Sequence, residues 1–360
     1  MPFDVHEFPA GAAMAARNRR LVAGWLFALC AMVLVMIVLG GATRLAGAGL
    51  SIMEWAPLLG ALPPLNEAEW RRLFGLYQQI PQYRLVNSGF GLDGFRQIFW
   101  LEWTHRLWGR LIGLAFLVPL AWLWARGAIP RRLRPRLVVL FLLGGAQGAV
   151  GWFMVASGFF PDATAVSPYR LVIHLAVALA LYVALLWTGL SVLWPLPAPL
   201  PGRGPLRLAW LATGLLGATM LAGGFVAGTH AGLIDNTFPL MDGRLVPADY
   251  AALRPFPRNL TENPAAVQFD HRLLATLAAL AAAATVVAGV AAGAAGRLRA
   301  ALLALAGAVA AQYALGVATL LAVVPLALAV AHQAVAVLAL TSAVAVLHAL
   351  RPAAYAGGRP

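Results

Sequence analysis

The sequence is short of charge. Asp, Glu, Lys and Arg make up 11% of its 360 residues, where soluble domains carry about 25%. With 61% hydrophobic residues and a mean hydropathy of +0.80, that scarcity excludes an ordinary water-soluble fold. Lysine is absent, so all 26 basic residues are arginine, and against 13 acids they leave a net charge of +13. Such a surplus suits a polyanion such as nucleic acid, unless its placement along the chain explains it otherwise. The single cysteine, Cys30, excludes an intrachain disulfide and reads as packing within an apolar run. No flavin, nicotinamide or P-loop signature is present.

What the chain does have is long apolar runs, the second interrupted at its beginning by Glu102, His105, Arg106 and Arg110, each near the ~20 residues a helix needs to cross ~30 Å of hydrocarbon. They cover 21–43, 99–125, the stretches between 136 and 162 and between 170 and 195, 208–229 and 265–296. The uncharged stretch 300–350 adds two more, with a turn near Val324 and Pro325. The first run is too long for a secretory signal. The pattern predicts an all-α integral membrane protein of eight transmembrane helices. With the amino terminus inside, the inner segments hold 14 arginines, from Arg17 to Arg359, against Asp4 and Glu7, a net of +12. The outer segments hold the other 12 arginines against 11 acids, a net of +1. Basic residues stay on the cytoplasmic side, so both termini are expected there and the nucleic-acid class drops out. The chain's surroundings are then membrane lipid.

The two longest loops, about 55 and about 40 residues, follow the first and fifth runs and fall on the outer face. In the first, Asn66 and Glu69 have capping-box spacing, and Trp70, Leu73, Phe74 and Tyr77 follow at helical spacing. An amphipathic helix at the membrane interface is expected. Asn259 and Glu262 repeat the capping spacing before the sixth run. The matching loops go with an internal repeat. Gly40, Gly41, Gly49 and Leu50 align with Gly223, Gly224, Gly232 and Leu233 at an offset of 183. His105, Arg106 and Leu107 align with His271, Arg272 and Leu273 at 166, Gln147 and Gly151 with Gln312 and Gly316 at 165, and His174 with His332 at 158. The expected organisation is two tandem four-helix bundles, 21–194 with outer loop 44–98 and 207–350 with outer loop 230–264. A cytoplasmic segment 1–20, an inner linker 195–206 and a tail 351–360 complete the chain.

Four of the seven histidines recur in the repeat: His105, His174, His271 and His332. With helices starting at Phe99, Pro168, Pro264 and Pro325, each is six or seven residues in, about 9–10 Å at 1.5 Å per residue. All four then share one depth toward the outer face. Two imidazoles per bundle, on different helices, suit axial ligation of a haem iron, whereas zinc wants three or four close ligands. The plainer alternative for each is a polar group bonded to a neighbouring helix. Arg106 and Arg272 follow the candidate ligands, placed to pair with haem propionates or to snorkel to lipid headgroups. Glu102 sits three residues before His105, where the repeat puts Gln268 before His271. A carboxylate at that depth is either paired, most simply with Arg106, or used in chemistry. His6 and His348 are expected to be solvated at the inner termini, and His230 stands at the outer end of the fifth run, opposite Gly47 in the repeat.

Further strings carry a resemblance. Gly40, Gly41, Ala42, Thr43, Arg44, Leu45, then Gly49, Leu50, Ser51, Trp55, Pro57, Gly60, Pro63 and Pro64 resemble the first outer loop of haem A synthases. Phe99, Trp100, Glu102, His105, Arg106, Gly109, Arg110 and Gly113, with Asn259, Glu262, Asn263, Val267, Gln268, Phe269, His271 and Arg272, resemble the family's second and sixth helices. The likeness covers nearly the whole chain and is to the longer form that lacks paired outer-loop cysteines. Ala46 and Ala48 depart from it, standing where the family often has hydroxyl residues.

The resemblance implies oxidation of a methyl group on the haem O ring to a formyl group, with water as oxygen source, giving haem A for terminal oxidase. It implies haem b as cofactor on His271 and His332 and the substrate haem on His105 and His174. Glu102 matches the family's important acid. Haem O, contact with haem O synthase and an electron acceptor the sequence does not name are the implied partners, and a homo-oligomer stays open. Two other classes remain: a di-haem quinol oxidoreductase of the cytochrome b sort, and a transporter. Ligands at one depth argue against the first, and a parallel rather than inverted repeat against the second. A haem spectrum removes the transporter, and formyl-haem formation removes the quinol enzyme.

Overall fold

A computed structural model of the chain describes residues 12–56, 59–198 and 204–352; His6, Pro57, Arg203 and Arg359 lie outside these. Among the described residues, eight helices are long and apolar enough to cross a membrane. They are α1 (Ala12–Leu45), α2 (Leu92–Ala125), α3 (Arg134–Ala156), α4 (Pro168–Leu193), α5 (Gly204–Gly228), α6 (Pro264–Ala291), α7 (Gly296–Leu321) and α8 (Leu326–Leu350). The chain is therefore an all-α integral membrane protein, as its apolar runs predict. Prolines at the first turns of α3, α4 and α6 suit positions whose N–H has no helical partner.

Helix α1 packs on α2 and α4, and α3 packs on the same two; α5 packs on α6 and α8, and α7 on those two. Contacts of α1 with α8, and of α4 with α5 and α8, join the two sets. One apolar core runs through α1–α4 and takes in Val337, Leu340 and Val344 of α8; a second fills α5–α8. At the junction α5 meets α4 backbone to backbone: a Cβ on Gly228 would stand 3.0 Å from Pro168 Cα. Gly228→Ala is expected to destabilise the protein by about 1–3 kcal/mol, the range for overpacking. Gly24→Ala, with open space around it, is expected to be neutral. Thermal unfolding in detergent compares the two, and equal melting temperatures would contradict the close approach.

Two helix readings need correction. Helix α2 begins at Leu92, not near Phe99, because its first two turns stand clear of the apolar run and need not be uncharged. Arg96 pairs with Glu67 and with Asp93, the latter at 3.2 Å, while Phe95 and Phe99 are buried. Those rings receive the loop helix Glu67–Tyr77. Asn66 caps it as its spacing predicts, Oδ1 accepting the Glu69 N–H at 2.9 Å. Its apolar face does not lie on lipid, however. Trp70 and Tyr77 are buried against Phe95 and Phe99, with Trp70 and Phe99 edge to face at 4.9 Å. The protein's own extended helix, rather than the membrane interface, covers the stripe.

In the second loop, Asn259 does not cap a helix through Glu262. It is buried, bonding the N–H and carbonyl of Leu253 and the carbonyl of Phe256, while Asn263 caps α6 by accepting from the Ala265 N–H. His348 is likewise not solvated. It is 2% exposed, lying 3.2 Å from Ser191 Oγ and edge to face with Trp187 where α4 and α8 cross. Its place near the chain end hid the crossing.

Candidate functional site

The four recurrent histidines converge at the end of the bundle that carries the two long loops. His105 on α2 lies against Gly40 of α1, His174 on α4 against Gly151 of α3, His271 on α6 against Gly223 of α5, and His332 on α8 against Gly316 of α7. A Cβ on any of these glycines would stand 2.9–3.1 Å from the facing ring. Each glycine lies five residues before the last residue of its helix, or ~7.5 Å at 1.5 Å per residue. The rings therefore share one level. Depth counted from helix starts misplaces His105, which is thirteen residues into α2. The facing glycines define the level better than the ragged starts.

What holds each ring differs. His271 Nδ1 is 3.1 Å from the Thr219 carbonyl, which can only accept, so Nδ1 carries the proton and Nε2 is left bare. Gln147 Nε2 lies 3.1 Å from His174 Nδ1 and donates to the His174 carbonyl. Gln312 Nε2 lies 3.3 Å from His332 Nε2, while His332 Nδ1 is buried with no partner. Among the described residues no hydrogen bond reaches the His105 ring, and it turns Nε2 toward Gly40 where the other three turn Cε1 toward their glycines. No group of three or more His, Cys, Asp or Glu placed to hold a lone metal ion occurs among the described residues.

One turn before His105, the buried Glu102 accepts from Ser51 Oγ at 2.7 Å and the Ile52 N–H at 2.9 Å. Its other oxygen accepts from Arg106 Nε at 3.1 Å and Nη2 at 2.5 Å. All its partners are donors, the set an ionised carboxylate takes. In the matching slot Gln268 donates to the carbonyls of Ala231 and Ile234, each at 2.6 Å, and accepts from Arg272 at 2.5 Å. The first loop thus offers donors to an acid, and the second offers carbonyls to an amide. Neither arginine snorkels. Arg106 bonds the carbonyls of Ile52 and Glu54, and Arg272 those of Asp235 and Thr237. Both pairs of carbonyls stand 183 positions apart, the offset of Gly40 and Gly223.

Gln268→Glu would set a buried carboxylate against two carbonyl oxygens. We expect a stability loss of roughly 3 kcal/mol, the upper end for buried polar groups left unsatisfied, because one oxygen keeps Arg272 while the other faces two carbonyls without a donor. Melting in detergent beside Gln268→Met is the measurement, and a smaller loss for the acid than for Met would contradict the polarity assigned to this slot.

His230 stands apart from the four rings. It adopts φ +57°, as its repeat partner Gly47 adopts +65°, and its Nε2 lies 3.3 Å from Arg44. Burial and the Arg44 guanidinium hold its imidazole below the usual histidine range. The structure brings Glu102 and Arg106 together on either side of His105, and Gln268 and Arg272 on either side of His271, while His174 and His332 sit at the same level on α4 and α8. Sequence reading misses Ile52 and Thr219, because a backbone N–H or carbonyl leaves no signature in residue type. The facing glycines and both glutamines are visible as repeat positions.

Residues 23–344 match the sequence profile of the COX15-CtaA family, described as cytochrome oxidase assembly protein. The chain is 67% identical over 264 residues to "Heme A synthase" of Granulibacter bethesdensis, covering 73% of this chain and 70% of that protein. It is 52% identical over 278 residues to "Heme A synthase 2" of Acidiphilium cryptum, covering 75% and 76%. To "Heme A synthase" of Rhodospirillum centenum it is 49% identical over 291 residues, covering 81% and 78%.

Proposed function

The chain belongs to the COX15-CtaA family, and on that premise we propose that its two histidine pairs divide the work of a haem A synthase. Its activity is the oxidation of haem O to haem A, and it is a multi-pass protein of the inner membrane. We assign the substrate haem to His105 and His174 and a resident haem b to His271 and His332. The two sites belong to tandem four-helix units, 21–194 and 207–350, joined by the linker 195–206. The loops 46–91 and 229–263 lie on the outer side and both termini are cytoplasmic. The observation that carries the division is the chemical difference at one matched slot, Glu102 in the first unit and Gln268 in the second.

The residues fit such a group. Paired imidazoles at one level, each seated against a residue without a side chain, would supply nitrogen ligands to its iron. A haem iron so held takes up and returns single electrons. His271 is prepared for a resident group, since its Nδ1–H bond to Thr219 fixes the ring and raises the basicity of Nε2. Glu102 is anchored on both oxygens, so its charge is held in place before any reaction begins. In the first unit that charge stabilises positive charge developing at the oxidised carbon, or takes the proton it releases. Arg106 and Arg272 form the rims, tying each loop to its ligand helix and presenting a cation to propionates.

Haem O is the substrate and lipid the surroundings. Contact with the haem O synthase that supplies it, an electron acceptor still to be identified, and self-association complete the proposal. Expression with a haem O supply, followed by extraction and chromatography of the haems, is expected to yield haem A. A profile of haem O and haem b alone would reject the activity in this chain.

A further inference from the structure

We propose that His105 is the exchangeable ligand of the first site, releasing and regaining the haem iron as substrate enters and product leaves, while His174 stays bound. The inference rests on the reading of this pair as the substrate site and adds which of the two nitrogens lets go. It follows from how the four rings are supported. The corresponding ring of the second unit, His271, is locked to the Thr219 carbonyl with Nε2 free to ligate. Gln147 Nε2 stands beside both ring nitrogens of His174, 3.1 Å from Nδ1 and 3.5 Å from Nε2, and donates to the His174 carbonyl, so that ring cannot turn without displacing the amide. His105 has neither kind of support among the described residues, and its Nε2 points at Gly40. Offering that nitrogen to a haem needs a turn of the ring about its Cβ–Cγ bond. This torsion is broad and roughly two-fold in histidine, so the turn is cheap. Gly40, with no side chain, leaves the ring room to sweep.

A bond from a ring N–H to a carboxylate, carbonyl or water orients a ligating histidine, and removing such a partner typically costs 10–100-fold in affinity. His105 starts without one. His332 also has an amide beside its ring, that of Gln312, so His105 alone of the four has no hydrogen-bonding neighbour at its ring among the described residues, and a haem that departs every turnover needs one ligand that does not hold. The release step breaks only the bond from iron to His105 Nε2. That nitrogen keeps its lone pair, and no electron changes hands.

The experiment uses ferric holoenzyme with haem O in the first site and excess apomyoglobin as haem acceptor, transfer being followed by absorbance. The resident haem spectrum reports that each variant is folded. The wild type is expected to lose its haems in two phases, the faster from the first site. His174→Ala should speed that phase by about 10–100-fold or prevent loading, by analogy with the affinity loss above. Gln147→Leu should speed it in the same direction, and His105→Ala should change it less than either. A larger effect of His105→Ala than of His174→Ala would overturn the proposal while leaving the first site intact as a haem site. If neither histidine affects loading or loss, the underlying reading of this pair fails instead.

Cyanide gives a second measurement that needs no variant. In the ferric wild type it should displace one ligand at the first-site haem and none at the second within the same time. Equal resistance of both haems, or preferential reaction at the second, would overturn the assignment.

Discussion

Glu102→Gln is expected to leave both haems bound and to lower haem A formation about 10²- to 10³-fold, the loss seen when one preorganised electrostatic group is removed. The substitution keeps the shape and one acceptor. The amide oxygen can still take the Ser51 hydroxyl and the Ile52 N–H, so the loop stays on the helix. What it removes is the charge, and it turns an N–H₂ toward Arg106, which then meets a donor where it met an acceptor. A lost hydrogen bond to a charged group is worth about 1.5–3 kcal/mol. Arg106 keeps its carbonyl partners at Ile52 and Glu54, so this loss is local. The second unit works with Gln in this slot, which argues that the amide is structurally tolerable where its loop suits it. Haem content by absorbance and haem A by extraction separate the two outcomes. Unaltered haem A yield would reject a chemical role for Glu102 and leave only its salt bridge.

The parts of this architecture that were legible in the sequence are those that depend on residue type at a fixed spacing. Eight apolar runs become eight helices because a span needs only length and apolarity. The Asn66 cap needs only a side-chain oxygen three residues before the N–H it binds. The repeat offsets of the glycines, glutamines and histidines matter because each ring meets its glycine on a neighbouring helix. What stayed hidden depends on which surface covers which. Glu67–Tyr77 has the periodicity of an interfacial helix, and nothing in it says that Phe95 and Phe99 cover it instead of lipid. His348 reads as terminal because the crossing of α4 and α8 that buries it is a long-range contact. The polarity of each loop toward Glu102 or Gln268 is set by backbone groups, which every residue carries alike.

The second large effect concerns the resident haem. His271→Ala and His332→Ala are each expected to remove most haem b absorbance from purified protein, whereas His105→Ala retains it and loses turnover. An axial ligand is a stronger support than any outer partner, whose removal alone typically costs 10–100-fold in affinity. His271 should give the larger loss of the two, because its ring is already oriented by the Thr219 carbonyl and contributes at little further ordering cost. His332 has a buried Nδ1 without a partner and a glutamine beside Nε2, so it must settle its tautomer and move that amide before it can ligate. The His332→Ala protein should accordingly keep a residue of five-coordinate haem that the His271→Ala protein lacks, visible in the ferrous spectrum. If all four histidine variants lose haem to the same extent, the two pairs do not divide their labour. The difference between Glu102 and Gln268 would then be a matter of loop packing alone.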